Sequence, residues 1–160
     1  MSDFIATYEI TRGRFTDAIT KLSHAQLNFR QNPNTLTAGE MALHVAGIEV
    51  SYASQLFESN LNAEDELLAR CATEGSINDL PFPVTAEELT PERVARDLER
   101  GRAAAMSLFE SADPNIRAKV IPSALGPLMN GQGAMARLCS HAFYHLGQVY
   151  MIAQSPDYPA

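Results

Sequence analysis

The chain has 160 residues, 46% of them hydrophobic and 19% charged, an ordinary globular composition long enough for one domain whose core needs neither disulfide nor metal to hold it. Net charge is −7, and the 12 basic residues are scattered among 19 acidic ones, which speaks against the clustered cations of a nucleic-acid binder or of a protein held on an anionic membrane. The two cysteines, Cys71 and Cys139, are far apart with no CxxC, so no disulfide scaffold is expected and a reducing compartment fits.

The first residues, MSDFIATYEI, carry no basic region followed by an apolar run and do not read as a signal peptide. No apolar stretch approaches the roughly 18 residues that span a bilayer. A single domain over residues 1–160 and a cytoplasmic location are the expectations.

In chain order, Phe4, Tyr8, Thr11, Phe15, Ile19 and Leu22 recur at steps of three and four and predict a first long helix. LNFRQNPNTL then reads as a loop, broken by Pro33 and its asparagines. Thr37 and Glu40 form a T-x-x-E capping box, with Leu36 and Met41 placed as a hydrophobic staple. A second long helix is therefore expected from Thr37 to about residue 59, with His44 on its apolar stripe. Glu40 faces the His44 side of that helix, but its place in the cap is the simpler account.

Residues 60–88 form a long connection with a short helix at AEDELLARC and a breaker-rich INDLPFPVT. Its length frees the flanking helices from hairpin pairing and leaves room for a crossover. Thr90-Pro91 starts a third long helix running to about Ala112. VIPSALGPLMNGQG, rich in Gly, Pro and apolar residues, reads as a buried, pocket-lining loop, and a fourth long helix is expected from about Asn130 to Gln154. No strand-like alternation of any length is present. The predicted class is all-α, a four-helix bundle with long connections.

In the fourth helix, SHAFYHLGQVYMIAQ places His141 and His145 one turn apart, about 40° apart around the axis. Gln148 falls beside them. The apolar stripe of Met135, Leu138, Ala142, Leu146 and Val149 is centred to one side, so both imidazoles sit on the shoulder of the core face. Cys139 points nearly the opposite way and is a poor partner for them. Two histidines at this spacing can converge on one metal ion, and an inward His44 can complete a three-nitrogen set. Unlike HExxH helices, no Glu lies between them. His24 reads as surface or capping at the end of the first helix, Tyr144 as structural, and Met41, Met129, Met135 and Met151 as core filler.

TAGEMALHVAGIE with His44, followed far along the chain by HAFYHLGQV with His141 and His145, resembles the DinB/YfiT-like superfamily of bacterial four-helix bundles, which is unrelated to the lesion-bypass polymerase of similar name. The resemblance covers nearly the whole chain. It implies a divalent metal held by His44, His141 and His145, and a homodimer. Characterised relatives include bacillithiol S-transferases and a mycothiol-dependent maleylpyruvate isomerase.

Three neutral imidazoles suit Zn, Ni, Co or Fe(II), with Zn or Ni favoured here, and three protein ligands leave a position for water or substrate. The leading expectation is a thiol-dependent S-transferase in which a low-molecular-weight thiol attacks a small electrophile. Gln148 either orients the incoming group or is a helix-packing amide, and the residues leave both open. The alternatives are a metal-dependent hydrolase, for which no inward carboxylate is evident as a base, and a non-catalytic metal-binding stress-response protein.

Overall fold

Capping side chains set where the long helices begin. In the computed structural model, which describes residues 4–160, Thr37 caps α3 (Ala38–Phe57), Thr90 caps α5 (Pro91–Glu110) and Asn130 caps α7 (Gly131–Ile152). Each accepts a backbone N–H that the first turn would otherwise leave unpaired. The Thr37 box is reciprocal: its Oγ1 accepts from the Glu40 N–H, and Glu40 Oε2 accepts from the Thr37 N–H at 2.8 Å. Glu40 thus serves the cap, as its position suggested.

The first helix, α1 (Phe4–Ile19), stops before Leu22, because Ser23 and Gln26 form a second capping box that opens the one-turn α2 (His24–Leu27). His24 therefore begins a helix rather than ending one. It is exposed, and its Nε2 lies 3.0 Å from the Ala86 carbonyl oxygen. The expected short helix is present as α4 (Ala63–Arg70), and α6 (Pro114–Ala118) adds a turn after α5.

Residues 120–130 correct the loop expected there. Val120–Pro122 (β1) and Leu128–Asn130 (β2) pair as an antiparallel hairpin, and most of the segment is exposed. Gly126, at φ 97°, takes the left-handed turn conformation that suits a residue without Cβ. Strands of three residues are too short for alternation to show in the sequence.

Helix direction follows from the two apolar clusters of the core. Met41, Ala42, Val94, Leu98, Leu146 and Val149 share one cluster, while Tyr52, Leu56, Leu108, Phe109, Met135 and Leu138 share the other. Helices α3 and α5 therefore run side by side in the same direction, and α7 runs against them. Tyr8 lies in the second cluster and Phe15 and Ile19 in the first, so α1 is parallel to α7, its main packing partner. Parallel neighbours cannot be joined by a hairpin, which is why 60–88 is long: it must return the length of the bundle. On that return α4 packs along α3, where a Cβ on Gly47 would stand 2.3 Å from the Leu68 carbonyl oxygen.

Helix α3 is buried nearly all round, as expected of a helix enclosed by its neighbours. Among its polar residues is Glu49, ion-paired with Arg12 of α1, both about 1% exposed. Arg12 Nε and Nη2 reach the carboxylate at 2.8 and 3.1 Å, Nη2 also donates to the Leu98 carbonyl at 2.7 Å, and the Tyr8 hydroxyl donates to Glu49 Oε1 at 2.7 Å. One polar network so ties α1, α3 and α5 together. No helix among the described residues is long and apolar enough to cross a membrane.

Candidate metal centre

His44 on α3 faces His141 and His145 on α7. The antiparallel run of these helices brings the three rings together, with centroids 5.0 Å apart from His44 to each of the others and 4.6 Å between the α7 pair. One nitrogen from each ring lies within 4.8 Å of the other two, and all three residues are buried. His24, on α2, takes no part.

Hydrogen bonds fix two of the tautomers. His44 Nδ1 lies 3.1 Å from the Cys71 carbonyl oxygen, which can only accept, so Nδ1 carries the proton and Nε2 keeps its lone pair. Cys71 caps the end of α4, and its carbonyl carbon lies 3.3 Å from where a Cβ on Gly47 would be. His145 Nδ1 lies 2.6 Å from Gln148 Oε1, while Gln148 Nε2 donates to the Tyr144 hydroxyl oxygen at 3.4 Å. That chain orients the amide and leaves His145 Nε2 as a second lone pair. His145 Nε2 meets His141 Nε2 at 3.1 Å, and His141 Nδ1 is buried with no partner.

Burial lowers the pKa of all three histidines. His141 is pushed down to about 2 and His145 to about 4, with neighbouring imidazoles and the Arg137 charge adding to the desolvation; His44 is lowered chiefly by burial. The rings are therefore neutral near pH 7, the form that donates to metals. Inward lone pairs, a nitrogen left unpaired by the protein and outer hydrogen bonds on the ring N–H groups are the features of a histidine metal site, so the donor set fits a divalent ion. Neither cysteine contributes. Burial pushes the Cys71 thiol up to about 12 and raises Cys139, and Cys139 lies within the second apolar cluster.

The triad forms part of the wall of an open cleft of roughly 1160 Å³. Leu36, Met41, Leu125 and Met151 supply apolar wall, and Arg137, Tyr144 and Gln148 polar wall. Two sequence readings change here. Tyr144, read as structural, is 65% exposed on the cleft with its ring edge-on to His145 at 5.0 Å. Met151, read as core filler, is 67% exposed in the same wall. Rotation about a helix axis gives the direction of Cβ, and long side chains lean well away from it. Of the loop expected to line a pocket, only Leu125 does so among the described residues. Arg137 was not singled out, yet it stands four residues before His141 on the same line as both α7 histidines, a spacing that could have found it.

A conserved protein from Enterococcus faecalis, known from a crystal structure, superposes with a TM-score of 0.68 over 95% of each chain at 17% identity, a likeness that concerns the fold alone. No curated protein matches the chain. The family profile of the DinB superfamily matches residues 7–149. The three-histidine group and that match fit a metal-binding protein, and by the extent of the match the chain belongs to the DinB superfamily.

Proposed function

We propose that the protein is a metal-dependent enzyme of the S-transferase type, joining a low-molecular-weight thiol to a small electrophilic molecule, with Zn or Ni held by His44, His141 and His145. The observation that carries this reading is the pair of tautomer-fixed imidazoles, His44 and His145, whose Nε2 atoms are left unprotonated in a triad beside an open cleft. A divalent ion on three nitrogens keeps a position open and lowers the pKa of a sulfhydryl that enters it.

The chain's own residues account for the rest. Gln148 holds the Nδ1 proton of His145 and so keeps its Nε2 unprotonated, which supports a site role over a helix-packing one. Tyr144 steadies that amide at the cleft mouth. At roughly 1160 Å³ the cleft exceeds the roughly 300–1,000 Å³ usual for one small ligand and admits two reactants together. In the transfer, an S–C bond forms as the bond to the leaving group breaks, the leaving group takes the bonding pair, and the sulfhydryl proton passes to solvent in the open cleft. Hydrolysis is less well supported, because the described residues lining the cleft include no carboxylate to serve as base.

Co(II)-substituted protein titrated with small thiols tests the reading. A sulfur-to-metal band in the near ultraviolet with release of a proton is expected, and Gln148→Ala should weaken thiol binding. A Co(II) spectrum indifferent to every thiol would remove the transferase reading.

A further inference from the structure

Among the described residues, the one cation in the cleft has no anion. Arg137 is the only charged residue among the described residues that line it, in a chain whose net charge is −7. Most other arginines have carboxylate partners, among them Arg12 with Glu49, Arg30 with Glu40, Arg93 with Asp97 and Arg100 with Asp65. Among the described residues Arg137 has no such ion pair, and its Nε is buried without a hydrogen-bond partner. A buried donor left unmade carries a desolvation penalty that a partner would remove. The guanidinium charge reaches the triad, where it helps lower all three histidines. It also reaches the buried phenol of Tyr52, where it opposes the rise caused by burial.

We infer that Arg137 is the anchor for an anionic group, a carboxylate or its like, on a ligand of this cleft, so that at least one of the two reactants is a small organic acid. The inference deepens the transferase reading and rests on it for the identity of the reactants. Its geometry is independent: Arg137 is one turn from His141 on the same line of α7, so a ligand held at the guanidinium extends along the helix towards the histidines. A planar guanidinium fork matches a carboxylate through two parallel hydrogen bonds, which a lysine ammonium does not. The carboxylate can belong to the thiol or to the electrophile.

The test is calorimetric binding to the metal-loaded protein of three probes: phenylacetate, phenylmethanesulfonate and neutral phenylacetamide. The sulfonate is a poor metal ligand and a good guanidinium partner, so it separates Arg137 from the ion. Both anions should bind at least about 10-fold tighter than the amide, the scale of a charge-assisted hydrogen bond. Arg137→Gln should abolish that preference, and Arg137→Lys should retain part of it. Equal binding of all three probes to the wild-type protein overturns the inference without any variant, and a sulfonate preference unchanged in Arg137→Gln does the same. A second arm compares 3-mercaptopropionate with 3-mercapto-1-propanol. An Arg137-dependent advantage of the thiol acid puts the carboxylate on the thiol, and equal binding of the two with phenylacetate still needing Arg137 puts it on the electrophile. If no thiol binds while the Arg137-dependent anion preference stands, the transferase reading fails and this inference survives.

Discussion

Among the described residues, two of the polar groups buried between the helices are finished to different degrees. In the Arg12–Glu49–Tyr8 network the charges meet and the hydrogen bonds close: three helices contribute, and the guanidinium ends on the carboxylate, a carbonyl and Thr16. Around His44, His141 and His145 the protein stops short. The Nε2 atoms of His141 and His145 meet only each other, and among the described residues His141 Nδ1 is unpaired and Arg137 Nε nearby has no acceptor. Burying polar atoms without partners costs stability, so a fold that completes one group and leaves the other open reserves the second for something that binds there. The difference separates what holds the bundle from what the bundle holds.

Breaking the completed group should have the largest effect. Glu49→Ala leaves the Arg12 charge buried and unpaired, and chemical denaturation should show a loss of about 3–5 kcal/mol, with metal bound per folded chain unchanged. A loss below about 1 kcal/mol would mean that water reaches Arg12 and the network is not the tie described. In the open group the order reverses. His141→Ala should weaken divalent-metal binding by more than about 100-fold, the upper end of what loss of an outer partner costs, with little change in the stability of metal-free protein. Competition with a chromophoric chelator measures it, and full affinity in the variant would remove His141 from the site.

The smallest effect sharpens the contrast through pH. The histidines titrate near 6.5 in the unfolded chain and lower in the fold, His145 at about 4 and His141 at about 2. Below pH 6.5 the unfolded chain therefore takes up protons that the folded chain refuses. Metal-free protein should be most stable above that value and lose up to about 1.4 kcal/mol per pH unit per imidazole as pH falls. Urea titrations between about pH 7.5 and 5 measure the slope, which His141→Ala should flatten. An identical slope in the variant would show that other groups set the acid sensitivity.

How much of this could be read beforehand depended on range. Caps are local, and Thr37, Thr90 and the start of α7 near Asn130 were legible because a side chain and a backbone N–H two or three residues away decide them. Spacing also placed His141 and His145 on one face and His44 on the buried stripe of α3, and the resemblance joined the three in one ligand set. The Arg12–Glu49 pair was not legible, although Arg12 falls on the buried line of Tyr8, Phe15 and Ile19: an arginine there reads as an interruption until its partner, 37 positions away, is known. Which helices run parallel is equally non-local. Tyr144 and Met151 were misjudged because their reach, rather than their angle on the helix, puts them on the cleft.

The contact between Gly47 and α4 has a consequence for how the centre comes into being. The absence of a side chain at Gly47 lets the 60–88 segment lie against α3, and that segment presents the Cys71 carbonyl that sets the tautomer of His44. A stretch that looks like spacer between two helices thereby chooses which nitrogen of a distant ring faces the cleft. Until this segment has docked, His44 is free to turn either nitrogen inward, so seating of the linker and readiness of the ligand are one event. Sequence change along the linker that tilts α4 would then reach the candidate metal centre by way of a backbone oxygen, with every histidine left in place.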